Sequence, residues 1–243
     1  MSREIHRWYS PNLNKDMEIV VYGHYGYALL MFPTAGADFL EYERFNLIDS
    51  IGGYLRDGKL KAFSINSINN ESWLNNHMHP ADKAIRHQQY NRYVVEEVVP
   101  FIHNHCKGLV PIVTTGASLG ALHAANNFFR RPDIFSGTIA MSGSYDLKTY
   151  TKGYFDDNVY FNSPVDYLPR WEDNFMFDNM RKGRIVIASG QGNFEAPDAS
   201  RQLSNILNAR AVKHWLDLWG YDQPHDWPTW RSMLPYFLGH IKF

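Results

Sequence analysis

Gly116-Ala117-Ser118-Leu119-Gly120 sets a serine between two glycines, directly after the β-branched run Ile112-Val113-Thr114-Thr115 and before the small residues Ala121, Ala124 and Ala125. A strand that turns sharply into a helix forces strained backbone on the turning residue, and flanking glycines remove the Cβ atoms that would clash there. Such a turn pushes the Ser118 hydroxyl into the open. The helix that follows aims its unpaired amides at the same point, so the N–H of Leu119 can bind an oxyanion as Ser118 attacks a carbonyl. The chemistry implied is acyl transfer through a serine ester. The plainer reading is a glycine-bounded turn in which Ser118 only caps a helix.

A serine hydroxyl needs a base within hydrogen-bond reach and a carboxylate to fix that base's tautomer. In a strand–turn–helix arrangement of this kind the acid and then the base follow the nucleophile along the chain. His123, His214, His225 and His240 come after Ser118. His123 falls within the helix that leaves the serine, His214 begins a strand and His240 ends the last helix. Only His225 sits in a loop after the last strand, Trp219-Gly220-Tyr221-Asp222-Gln223-Pro224-His225-Asp226. The acid belongs after the strand ending at Ser189, where Glu195 is the first candidate and Asp198 the second, with Asp226 further off. Asp198 stands just before a helical run and is well placed as its N-cap. A second oxyanion donor is expected from Phe32-Pro33-Thr34-Ala35; Pro33 has no N–H, which leaves Thr34 or Ala35.

The elements that must position these groups follow from hydrophobic periodicity. Strands are predicted at 4–10, 17–23, 27–32, 60–66, 112–117, 137–142, 184–189 and 214–219, the first two as an antiparallel pair and several of the rest as apolar runs suited to burial on both faces. A helix is predicted from about Tyr42 to Asp57, closing at Gly58, and a long one from about Lys83 to Pro100, continuing toward His105. Alternating strands and helices imply an α/β fold with a mostly parallel, doubly wound sheet of about eight strands, catalytic groups gathering at its carboxyl edge. Between 145 and 180 the alternation pauses in an aromatic-rich stretch, with Tyr150, Tyr154, Phe155, Tyr160, Phe161, Tyr167, Trp171, Phe175 and Phe177, which reads as a lid or cap. The loop after the fourth strand also borders the carboxyl edge. Trp73, His77 and His79 within it, with Tyr145 at the head of the cap, are candidate substrate contacts.

Length and composition bound the rest. A chain of 243 residues suits one domain. The net charge of −1 gives no electrostatic footprint for nucleic acid or an anionic membrane, no apolar run approaches the roughly 20 residues of a membrane span, and the expected partner is a small molecule. Oligomeric state is not legible. Cys106 stands alone, which excludes an internal disulfide, and the first residues lack the apolar core of a signal peptide, so a cytoplasmic location is expected. His77, His79 and His87, and separately His103, His105 and Cys106, offer no full ligand set with recognisable spacing, so no metal and no cofactor are expected.

With the elbow, acid loop and late histidine in place, the chain resembles the putative esterase family of α/β-hydrolases, which includes S-formylglutathione hydrolase (esterase D), the enterochelin esterases and the mycolyltransferases. The resemblance spans most of the chain. It is carried by Gly116 to Gly120, by Arg131-Pro132-Asp133-Ile134-Phe135-Ser136-Gly137 with Met141-Ser142-Gly143-Ser144-Tyr145-Asp146, and by His225-Asp226-Trp227 leading into Trp230. It implies an α/β-hydrolase fold, a triad of Ser118, Glu195 and His225, and Leu119 as an oxyanion donor. Two positions depart from the family pattern: Phe32-Pro33 stands where His-Gly is usual, and the acid is Glu where Asp is commoner. The expectation is a serine esterase acting on a carboxylic ester or thioester. The same residues would serve an acyltransferase, and a catalytically silent binding protein on this fold is the alternative from another class.

Overall fold

An eight-stranded sheet in the order β1-β2-β4-β3-β5-β6-β7-β8 runs through the molecule. The computed structural model describes residues 2–242. The strands are β1 (Arg3–Ser10), β2 (Lys15–Tyr22), β3 (Tyr27–Phe32), β4 (Leu60–Ile65), β5 (Ile112–Ala117), β6 (Gly137–Met141), β7 (Arg184–Ser189) and β8 (Trp215–Leu218). β1 pairs antiparallel with β2, and β2 antiparallel with β4; every other pairing is parallel. The predicted strands and the opening antiparallel pair are all present. Parallel strands must be covered on both faces, which is why β4, β5 and β6 are buried along their whole length and β3 everywhere but Tyr27.

The period of two along each strand still divides the core. In β3, Ala28, Leu30 and Phe32 face one side and Leu29 and Met31 the other. The first face packs on α4 (Pro80–Tyr93), α5 (Val99–His105), α6 (Leu119–Arg130) and α11 (Pro197–Ala209) through Tyr90, Ile102, Ala121, Phe128 and Leu203. The second packs on three short helices, α1 (Glu41–Arg44), α2 (Leu47–Ser50) and α3 (Gly52–Arg56), and on α12 (Trp227–His240) through Tyr42, Ile51, Leu55, Met233 and Phe237. Each such aliphatic or aromatic side chain contributes roughly 1.5–3 kcal/mol by leaving water.

The structure corrects two predicted helices. The single helix expected over 42–57 is broken into α1, α2 and α3, because Asn46 adopts φ +59° and interrupts the ladder; Gly58, at φ +64°, ends the segment as expected. The long helix does reach His105, but it does so through a π-helical turn at Val94–Val98 between α4 and α5. Pro100, which has no N–H for the ladder, comes directly after that widened turn.

Residues 145–180 carry α7 (Lys148–Thr151), α8 (Asp157–Tyr160), α9 (Pro164–Tyr167) and α10 (Asn174–Lys182). Tyr167, Leu168, Phe177 and Met180 are buried in the first core layer, so much of this aromatic stretch covers the sheet. Among the described residues no helix is long and apolar enough to cross a membrane.

Candidate active site

Ser118 sits at the carboxyl end of β5 with φ +56° and ψ −124°, a conformation costing a non-glycine residue on the order of 1–3 kcal/mol. The surroundings hold it there. Its N–H donates to Met141 O at 3.0 Å, and its carbonyl accepts from Ala121 N–H at 3.0 Å. The two glycines are required by close approach: a Cβ on Gly116 would lie 2.3 Å from Gly120 O, and one on Gly120 would lie 2.3 Å from Phe32 O. Tyr42 braces the same corner, its hydroxyl donating to Phe32 O at 2.5 Å and accepting from Ala117 N–H at 3.3 Å.

Glu195 reaches the site from the loop after β7. Its side chain has no solvent exposure. Oε1 accepts from Ser142 Oγ at 2.5 Å and Gly190 N–H at 3.2 Å; Oε2 accepts from Ser189 Oγ at 3.1 Å and lies 3.3 Å from His225 Nδ1. Burial pushes the carboxyl up, but the contacts with His225, Ser142 and Gly190 outweigh it and hold Glu195 below the ordinary glutamate range. Ser142 is itself held, at φ +54°, by its N–H to Ala188 O at 2.7 Å and by the Trp230 Nε1–H donating to its Oγ at 3.0 Å. Trp230 also stands edge-on to the His225 ring, 5.1 Å between centroids.

The acid and base loops are knitted together. His225 N–H donates to Asn193 O, Gly192 N–H to Gln223 O and Gln191 N–H to Gly220 O. Ser118, Leu119 and His225 border one cavity of about 110 Å³, closed by Ser142, Gly143, Ser144, Tyr150, Phe194 and Ala196.

The competing acids have other duties. Asp198 is 94% exposed and pairs with Arg201; it lies in the first turn of α11, whose N-cap is Ala196, so the N-cap expected of Asp198 is displaced by two residues. Asp226 caps α12 through Trp227 N–H at 2.7 Å. The other late histidines are likewise engaged. His123 is buried, bonded to Asn69 Oδ1 and held neutral with a pKa pushed down to about 3 by burial. His214 bonds Ser204 and Val212, and His240 bonds Tyr236 O.

Of the two expected second oxyanion donors, Thr34 has its amide committed to the buried Glu41 carboxylate at 2.8 Å and its hydroxyl to the same group at 2.5 Å. Ala35, next along, is exposed. None of the four expected substrate contacts lines the cavity. Trp73 is buried beneath the nucleophile helix beside Leu119 and Leu122, and Tyr145 is buried behind Gly143. His77 is exposed, and His79 caps α4 through Ala81 N–H with its ring against Tyr154. Tyr150, Phe194 and Ser142 take those places, and only Tyr150 belongs to the aromatic stretch set out above. Among the described residues, neither histidine group weighed as a zinc site brings three donor atoms together.

The model of the family described as "Putative esterase" matches residues 61–241. The chain belongs to that family. This esterase-family chain has the α/β-hydrolase fold, and solved structures of similar shape cover nearly all of it. A ferulic acid esterase superposes with TM-score 0.78 at 18% identity, covering 98% of this chain and 97% of that one. An S-formylglutathione hydrolase from Agrobacterium tumefaciens gives 0.75 at 12%, covering 98% and 93%. MPT51 (FbpC1) of Mycobacterium tuberculosis gives 0.72 at 15%, covering 99% and 98%. No curated protein sequence matches this esterase-family chain. Membership of the family supports ester hydrolysis as the class of activity.

Proposed function

We propose that this chain is a serine esterase that cleaves a small carboxylic ester or thioester through an acyl-enzyme on Ser118. The observation that carries the reading is the Glu195–His225 pair, a solvent-shielded carboxylate with three further donors set against Nδ1 of the histidine that shares a cavity with Ser118. With Nδ1–H held by Glu195, His225 Nε2 is left as the base. It takes the Ser118 proton as Oγ bonds to the acyl carbon, and the amides of Leu119 and Ala35 receive the oxyanion, each such donor contributing about 3 kcal/mol. The imidazolium returns its proton to the departing alcohol or thiol, and the same base then activates water to release the acid. No step calls for a cofactor.

The cavity of about 110 Å³ is small, which favours a short acyl group. Residues 145–180 act as a partial cap, closing one wall through Tyr150. Lone Cys106 fits a reducing, cytoplasmic setting.

The test is intact mass and peptide mapping after treatment with a fluorophosphonate, followed by turnover of p-nitrophenyl esters of increasing acyl length. A single adduct on Ser118, abolished in Ser118→Ala, with short acyl groups turned over fastest, is the expected result. An adduct elsewhere, or none on folded protein, overturns it and leaves the silent binding protein. Adding an alcohol acceptor distinguishes hydrolysis from acyl transfer by the product formed.

A further inference from the structure

At one edge of the sheet, four strands from the β5 that carries Ser118, the edge strand β1 and the last turn of α5 bring three donor side chains to one point. Glu4 and His6 are two residues apart on β1, so both project from one face of the strand. That face meets α5: the His6 ring lies 5.1 Å from Phe101 and 5.3 Å from His105, and Trp8, two residues further on, stacks on Phe101. His105 Nε2 is 3.2 Å from Glu4 Oε2, and His6 Nε2 is 3.4 Å from the same oxygen. All three donor atoms fall within 4.8 Å of one another.

Bonds of about 2.0–2.1 Å to imidazole nitrogen and carboxylate oxygen, arranged tetrahedrally, separate ligand atoms by about 3.3–3.4 Å. Two of the three spacings already sit near that value, and the third lies within 4.8 Å. His6 Nε2 is moreover buried and, 3.4 Å from Glu4 Oε2, makes no well-formed hydrogen bond among the described residues. His105 is held edge-on against Phe63 at 5.7 Å, so its ring is placed before any ligand arrives.

We infer that Glu4, His6 and His105 form a binding site for a borderline transition-metal dication, zinc or its neighbours cobalt and nickel, that clamps the edge strand to α5. Two imidazoles and one carboxylate suit such a metal better than calcium or magnesium, which prefer all-oxygen sites. Glu4 and His105 border an open cleft of about 990 Å³, so water can complete the coordination. The site does not depend on the esterase reading.

The experiment uses tag-free, chelator-stripped protein titrated with cobalt(II), followed by its visible absorption, and then with zinc in competition. One equivalent giving the intense bands of a low-coordinate site, displaced by zinc, is expected. His6→Gln and His105→Gln should each weaken binding at least about tenfold, the scale of lost ligation support. Zinc should raise the melting temperature of the parent and not of these variants. Glu4→Gln, at an exposed carboxylate, serves if either histidine variant fails to fold. A His77→Gln/His79→Gln double variant should bind as the parent does. Absence of one-to-one binding, affinity unchanged in the His6 and His105 variants, or affinity lost in the His77/His79 variant would each overturn the inference.

Discussion

At the carboxyl end of the sheet one histidine, His225, meets a carboxylate that solvent does not reach; at its β1 edge two histidines, His6 and His105, share one that solvent does. Glu195 spends its lone pairs on two serine hydroxyls and a backbone amide besides His225, so its position is fixed before any substrate arrives. Among the described residues, Glu4 has, apart from those imidazoles, only the Ser2 hydroxyl. A carboxylate saturated by donors can orient a base, whereas one with lone pairs to spare is suited to ligation. The same residue types thus support different chemistry according to how completely their surroundings satisfy them.

The largest break in this contrast comes from the nucleophile. Ser118→Ala should lower kcat by about 10⁶, and adding His225→Ala should lower it little further, since the two act as one unit; steady-state turnover of a short-chain ester checks both. Glu195→Gln keeps the shape of the buried acid but favours the wrong imidazole tautomer, with an expected loss of about 10⁴ in kcat. An equal loss in Asp198→Asn would instead contradict the assignment, because that residue is expected to change activity less than twofold. Gly120→Ala drives a Cβ toward Phe32 O and should cost about 3 kcal/mol of stability, measured by denaturant melts.

Ser142→Ala tests the saturation itself. Removing one donor should raise the Glu195 pKa and lower kcat about tenfold. In the parent the folded-state pKa of Glu195 lies below its unfolded value, so the stability it contributes is complete above the ordinary glutamate value of about 4.3 and is lost as pH falls through the lowered folded value. Ser142→Ala narrows that interval, so the variant's acid-unfolding curve should be shallower there than the parent's. Smallest of all, His105→Gln should leave kcat/KM of the metal-free protein within about twofold, since His105 packs on His6, Phe63 and Phe101 and touches neither Ser118 nor the loops that carry Glu195 and His225.

Much of the carboxyl edge is legible in the sequence because its constraints are local. The elbow is five consecutive residues, the strands behind it are uninterrupted apolar runs, and His225 is the late histidine left without a helix or strand. What escapes is decided by partners distant along the chain. Nothing around Thr34 announces that Glu41, in a segment read as one helix, takes its amide. Nor does anything near Asn46 signal its left-handed conformation. Aromatic content places a cap at 145–180 but carries no direction, so Tyr167 and Phe177 read like Tyr150 although they face the core. Ser142 and Trp230 lie in segments that carry the family resemblance, yet their tie to Glu195 needs three loops brought together. The Glu4, His6 and His105 cluster spans a hundred residues, and nothing in the sequence pairs His105 with β1.

The end of β6 anchors both halves of the proposed machinery. Met141 O receives the amide of Ser118, and the next residue, Ser142, grips Glu195. Their Cα atoms are about 3.8 Å apart across one rigid trans peptide. That peptide works as a gauge block, setting the nucleophile-to-acid distance from inside the sheet instead of from the loops. Exchange of 191–194 or 221–224 can therefore redraw the mouth of the cavity, and with it the choice of ester, while the spacing that chemistry needs stays machined into the fold.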